Sequence, residues 1–210
     1  MAQGRFITLE GGEGTGKSTQ LRRLAEALTA RGLDVVSTRE PGGAPGAEEI
    51  RRLLVEGATD RWDAMTEALL HVAARRDHLR ATVWPALDAG RWVLSDRFAD
   101  STVAYQGYGH GLDLNVISRL HDAAIGDFRP DLTLILDLPV EEGLRRAGQR
   151  RGAEMRYERM DVDFHRRLRL GFLEIARTEP RRCAVVDAGL PVDDVAARIL
   201  DVAAVRLGLQ

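Results

Sequence analysis

The chain is poor in several things, and each shortage excludes something. Cys183 is the single cysteine in 210 residues, so no disulfide can close within the chain, and a reducing compartment is expected. It lies in an apolar run, residues 183–187, that reads as a strand, where a lone cysteine is a small buried apolar residue. No apolar stretch is long enough to span a membrane, and no basic-then-apolar leader precedes the first strand. The expectation is a cytoplasmic protein with no membrane partner. Net charge is nearly absent, 30 Lys plus Arg against 32 Asp plus Glu. That balance argues against a protein that coats nucleic acid, and it confines any phosphate-binding surface to one locality. Asn115 is the only asparagine, and it is followed by Val116 and Ile117. The Asn-Lys-x-Asp segment by which GTPase switches read guanine is therefore missing.

Lysine is as scarce, and for a basic residue that is unusual. Lys17 stands alone, and every other basic side chain is arginine. A drift toward arginine explains the others but not this exception. Lys17 falls in Gly11-Gly12-Glu13-Gly14-Thr15-Gly16-Lys17-Ser18-Thr19, a P-loop. Such a loop needs a compact ammonium on a flexible stem to follow the β- and γ-phosphates, a task for which arginine's planar fork is unsuited. Its glycines let backbone N–H groups close round the phosphates, and Ser18 is the expected Mg²⁺ ligand. A P-loop requires a strand before it and a helix after it. Residues Phe6–Glu10 form an apolar run, and Leu21, Leu24, Ala25 and Leu28 mark one helical face, with Gly32 as a stop.

Four further apolar runs, 33–38, 92–96, 132–137 and 183–187, read as buried parallel strands. Helical spacing fills 65–87, with an interruption near Pro85, and also 140–149, 161–178 and 192–207. This alternation predicts an α/β fold. Its core is a doubly wound five-stranded parallel sheet with helices on both faces, in one domain spanning 1–210. A short arginine-rich lid is expected at about 143–159.

In open parallel sheets ligands bind beyond the carboxyl ends of the strands. Asp96 and Arg97 end the third run, which places a Mg²⁺-holding carboxylate and a phosphoryl clamp near the loop. Asp137 and Asp187 end the last two runs, and capping of the next helix accounts for both. Glu13 must point away from a triphosphate. It either accepts from a sugar hydroxyl on a second substrate or is a solvated acid. Glu141 and Glu142, just before the lid, precede its Arg145 and Arg146 by four residues and can pair with them. Arg150 and Arg151 have no such partner, which fits arginines that supply charge to a transferring phosphoryl group. His71 either stacks on a base or packs as a helix residue. The segment Tyr105-Gln106-Gly107-Tyr108-Gly109 either reads a base edge or forms a turn. Three classes follow: a kinase for a small phosphorylated acceptor, a GTPase switch, and a motor-type or regulatory P-loop ATPase. The missing guanine segment disfavours the second, and the near-zero charge the third.

Taken together, Glu10 to Thr19, Thr38-Arg39-Glu40-Pro41-Gly42-Gly43, Asp96-Arg97-Phe98, Ala104-Tyr105-Gln106-Gly107 and Asp127-Phe128-Arg129-Pro130-Asp131-Leu132-Thr133 closely resemble thymidylate kinases of the bacterial type. The resemblance runs from Phe6 to about Leu207. It implies the P-loop nucleoside monophosphate kinase fold and Mg²⁺-dependent transfer from ATP to dTMP. The within-chemistry alternative is another nucleoside monophosphate as acceptor. It also implies roles: Glu13 at the sugar 3′-hydroxyl, Arg97 and Arg39 near the acceptor phosphate, Arg75 and Gln106 on thymine, Ser101 and Tyr105 lining that pocket. In forms with Gly14 after the loop acid, the catalytic arginine comes from the lid, which carries Arg146, Arg150, Arg151 and Arg156, with Arg151 aligning best. A homodimer packed through the helix at 65–87 is implied as well. Two positions depart from the family pattern. His71 stands where phenylalanine usually stacks on the base, and Phe98 where tyrosine is frequent.

Overall fold

The computed structural model describes residues 4–148 and 156–209. Among them five strands form one parallel sheet, β1 (Phe6–Glu10), β2 (Val35–Arg39), β3 (Trp92–Asp96), β4 (Leu132–Asp137) and β5 (Cys183–Asp187), in the order β2-β3-β1-β4-β5. β1 lies at the centre, with Leu9 beside Asp96 of β3 and Glu10 beside Ile135 of β4. That register brings the P-loop and the Asp96–Arg97 step out of the same edge of the sheet.

The strands are apolar on both sides because both sides are covered. Side chains alternate, so Ile7, Leu9, Leu94 and Leu134 point to one layer with α1 (Lys17–Thr29) and α9 (Val192–Leu207). Phe6 and Val93 point to the other, against Phe98, Leu79 and Ile125. A third cluster seats Ile135 on Phe164, Leu168 and Phe172 of α8 (Val162–Thr178). Two buried polar residues of the sheet satisfy each other: the Thr8 and Thr133 hydroxyls meet at 2.9 Å.

Local chemistry explains where the elements depart from the sequence reading. Leu33 is not in β2. Its N–H closes α1 on Leu28 O, with Gly32 at φ +81° making the turn, so the strand starts at Val35. The helix expected at 65–87 is α3 (Ala64–His78), a π-helical turn (Leu79–Val83) and α4 (Trp84–Asp88). Pro85 has no N–H to give, so the chain widens one turn earlier and restarts with proline in the first turn of α4. Asp63 caps α3 by accepting from Thr66 N–H at 2.6 Å.

The remaining helices are α2 (Pro45–Val55), α5 (Ala99–Thr102), which runs into a π-helical turn (Val103–Gly109), α6 (Leu114–Ile125) and α7 (Val140–Ala147). The segment at 103–109 is thus a continuation of a helix, not a free turn. On α7, Glu142 pairs with both Arg145 and Arg146, while Glu141 reaches Arg166 on α8. Neither strand-end acid caps a helix. Asp137 makes a two-pronged pair with Arg169 at 2.7 and 2.8 Å, and Asp187 accepts from Gly189 N–H in a tight turn. Prolines 139 and 191 occupy the two helix-cap positions instead.

Candidate active site

The P-loop begins where β1 ends. Glu10 is fully buried, and its carboxylate accepts from Phe98 N–H at 2.7 Å and from the Ser101 hydroxyl at 2.6 Å. Gly11 follows at φ +131°, where a Cβ would collide with Leu136 O. Gly14, at φ +70°, packs so tightly on Gly143 of α7 that a Cβ would strike the carbonyl there. The same packing leaves no space for an arginine at position 14. Gly16, at φ +86°, takes the N-cap of α1 with no side-chain cap. The first N–H groups of α1 are therefore left for a ligand, at the positive end of the helix dipole.

Lys17 lies buried across this loop, with Nζ donating to Gly11 O at 3.1 Å and Gly12 O at 2.7 Å. Burial and the Arg97 charge bring its ammonium down to about 8. Arriving phosphates would restore it, since opposite charge favours the protonated form. The Ser18 hydroxyl donates to Asp96 Oδ2 at 2.6 Å, so the loop and the end of β3 meet at a pair of hard oxygen donors.

Arg97, just past β3, has φ +73°, the one non-glycine residue with positive φ among those described. A side chain there costs about 1–2 kcal/mol. Three contacts hold the strained backbone: Arg97 N–H to Leu9 O, the Ser95 hydroxyl to Arg97 O, and Phe98 N–H to Glu10. The guanidinium then donates to Gly11 O, the Ser101 hydroxyl and Glu13 at 3.1, 3.2 and 2.9 Å, and lies over the Tyr105 ring. The Tyr105 hydroxyl donates to the same Glu13 oxygen at 2.5 Å. Burial alone would raise Glu13, but Arg97, Lys17 and the Tyr105 bond outweigh it and hold its acid at about 2. Glu13 is therefore an anion fixed between the loop and the pocket, and not a solvated surface acid.

These groups line a cavity of about 320 Å³ together with Arg39, His71 and Arg75. Arg39, at the end of β2, pairs with Glu48 and stays half exposed. Arg75 is buried, donating from Nε to Glu40 at 2.8 Å and from Nη2 to Phe98 O at 3.1 Å and Thr102 at 3.0 Å. Glu40 also meets His78 Nδ1 at 3.0 Å, and His78 Nε2 meets Thr38. Burial, then Arg75, pushes the His71 imidazolium down to about 3, so the ring is neutral. Gln106 is not on the cavity wall. It is completely buried behind it, with Nε2 on Glu67 at 2.9 Å.

The lid arginines divide. Arg146 turns to Glu142 and Ala188 O, away from the cavity. Arg156 is buried, pairing with Glu67 and donating to the carbonyls of Leu54, Ala58 and Thr59. Arg150 and Arg151 lie outside the described residues. Sequence reading missed Glu40, Arg51, Tyr157 and Glu158, all of which line the cavity. Only Glu40 carried a signal, its place inside the Thr-Arg-Glu-Pro-Gly-Gly segment. Among the described residues no cluster of three or more His, Cys, Asp or Glu side chains forms a self-sufficient metal site.

A P-loop at the sheet's central strand, an Asp-Arg step on its neighbour, and an acid-arginine pocket facing the loop define a P-loop phosphotransferase of the nucleoside monophosphate kinase type. Comparison with known proteins narrows the class. The thymidylate kinase family model matches residues 9–199. A thymidylate kinase of Caulobacter vibrioides is 57% identical over 209 residues, all of both chains. One from Ruegeria pomeroyi is 52% identical over 97% of this chain and 96% of its own. The crystal structure of thymidylate kinase from Ehrlichia chaffeensis superposes with a TM-score of 0.76 at 36% identity, covering 95% of this chain and 98% of that one. The chain belongs to the thymidylate kinase family.

Proposed function

We propose that the protein transfers the γ-phosphoryl group of ATP to dTMP, giving dTDP and ADP. The observation that carries this is the single cavity in which the P-loop's Lys17 faces the Arg97–Glu13–Tyr105 cluster. One side is built for a triphosphate, and the other for a phosphate joined to a hydroxyl-bearing sugar. Attacking and leaving oxygens in line, with charge spread over the oxygens between them, need positioning and cations more than covalent chemistry. Lys17 and the loop N–H groups hold the donor. Arg97 sits where donor and acceptor meet and neutralises oxygen charge. Glu13, ionised and tied by Tyr105, accepts from the acceptor's sugar hydroxyl and excludes a phosphate from its own position. Arg39, half exposed, reaches the acceptor phosphate, and Arg75, Ser101 and His71 bound the base. Gln106 supports that wall from behind.

Mg²⁺ fits the Ser18–Asp96 oxygen pair and, when bound, supplies charge neutralisation at the phosphates. Arg151, with Arg150, is the lid cation completing the site. The gain expected from such an arginine is on the order of 10³- to 10⁵-fold. Met65 and Leu69 are partly exposed on α3, as is Leu114 on α6, an apolar face suited to a homodimer through α3. Family membership supports a cytoplasmic enzyme of nucleotide synthesis. No described helix is long and apolar enough to cross a membrane.

The test is a rate panel with ATP and Mg²⁺ against dTMP, dUMP, UMP, CMP and AMP. We expect dTMP to lead clearly. Similar rates on all five, or a lead for a ribonucleotide, would replace thymidylate with another acceptor.

A further inference from the structure

Glu67, on α3, is completely buried, yet four side chains converge on it. Arg156 pairs with it, Gln106 donates to Oε2 at 2.9 Å, Tyr157 donates to Oε2 at 3.2 Å, and His110 approaches to 3.7 Å. Arg156 also saturates three backbone carbonyls at and beyond the end of α2. This fastens the segment after residue 155 to α2 and α3, and it sets Tyr157 beside His71, with Tyr157 Oη and His71 Nε2 3.2 Å apart. Both Tyr157 and His71 line the cavity.

The contacts of the Tyr157 hydroxyl with Glu67 and with His71 are both hydrogen bonds in one direction only. A carboxylate paired with a guanidinium only accepts, so the single phenolic proton of Tyr157 goes to Glu67. The phenolic oxygen is then an acceptor, and His71 must supply the proton from Nε2. The ring's other nitrogen, Nδ1, keeps its lone pair. A phenylalanine at position 71 would need no such tether, because the surrounding walls alone would set a phenyl ring.

We infer that Tyr157 and Glu67 are positioning residues for His71, holding its imidazole as the Nε2–H tautomer at a fixed angle in the wall of the acceptor pocket, where it sets the affinity for the base. This rests on the acceptor reading above. Its failure is separable from that reading, because the unaltered enzyme reports the acceptor and the variants report the tether. A role confined to folding would lower stability without distinguishing the two substrates.

The experiment is a cycle of Tyr157→Phe, His71→Phe and the double variant, assayed for KM and kcat with dTMP and ATP varied in turn. Tyr157→Phe removes one hydroxyl and keeps the ring. It should raise KM for dTMP about three- to tenfold, the worth of one hydrogen bond, with kcat and KM for ATP within about twofold. In the His71→Phe background the same change should have less than about a twofold effect, because nothing is left to tether. An equal effect in both backgrounds, no effect in either, or a loss in kcat alone overturns the inference. Imidazole ¹⁵N NMR on the unaltered protein is independent of how the variants fold. Neutral His71 protonated at Nε2 is expected, and protonation at Nδ1 contradicts the tether.

Discussion

The two halves of the cavity are built in opposite ways. The donor half is one unbroken stretch, Gly11 to Thr19, and works mainly through backbone. Glycine φ values of +131°, +70° and +86° shape it, and one ammonium crosses it. The acceptor half is gathered from the end of β2, α3, the step after β3, the π-helical turn and the 157–158 segment. It works through side chains that are almost all engaged with one another: Arg75 with Glu40, Arg97 with Glu13, Tyr157 with Glu67. A backbone cradle accepts any triphosphate placed on it. A network of mutually held side chains fixes one shape, and that shape is where we place selectivity.

The contrast can be broken most sharply on the donor side. Lys17→Ala should lower kcat/KM by about 10²- to 10³-fold or more, as for loss of a preorganised charge-stabilising donor. The affinity for dTMP, read by calorimetry without ATP, should change little. A comparable loss of dTMP affinity would show that the halves are not separable. Next comes Glu40→Gln, on the acceptor side. Breaking one partner of a buried pair costs about 3–5 kcal/mol, so the melting temperature should fall. In the folded fraction KM for dTMP should rise far more than KM for ATP. Equal changes in both would mean Glu40 serves the fold and not the pocket. Gly14→Ala ranks third. The Cβ collides with Gly143 and the residue must hold φ +70°, for a cost of about 1–3 kcal/mol, seen in a chemical melt. No loss of stability would mean that α7 and the loop do not touch.

How much of this was legible follows the same division. The donor half could be read because backbone chemistry leaves marks in order: strand, glycines, lysine, hydroxyl, helix. The strands were legible because a sheet covered on both faces needs apolar runs. The acceptor half was legible only as isolated residues. Glu40 and Arg75 are 35 positions apart, and nothing local says that they meet. Arg156 read as one more lid cation because its charge was visible and its burial was not. α2 was obscured by the Pro/Gly-rich run at its start, although Pro45 in the first turn is a helix-start signal. α6, announced by Asp113 as its cap, went unread although Ile117, His121 and Ile125 mark its buried face at helical spacing.

The smallest expected effect is a dependence on pH. Lys17 has its ammonium lowered to about 8 in the free protein, so it loses its charge as pH rises through that value. KM for ATP should then climb several-fold between pH 8 and 9, while kcat at saturating ATP holds, since bound phosphate restores the proton. Glu13, held near 2, and His71, held near 3, do not titrate in this range. Glu10, raised to about 8 by burial and Asp100, and the phosphate of dTMP itself do titrate there, so the comparison is with His71→Phe. KM for dTMP should follow the same course from pH 6 to 8 in both proteins, and a step near pH 6.5 that disappears in His71→Phe would reveal a charged His71.

The central claim is that the two halves act on each other: the group leaving the donor arrives on the acceptor. Chromatographic quantification of ADP and dTDP, formed by the unaltered protein from ATP and dTMP with Mg²⁺, tests it directly. One dTDP is expected for each ADP, and almost no ADP when dTMP is omitted. ADP accumulating at the same rate without dTMP, with no dTDP formed, would make the protein a P-loop ATPase and contradict it.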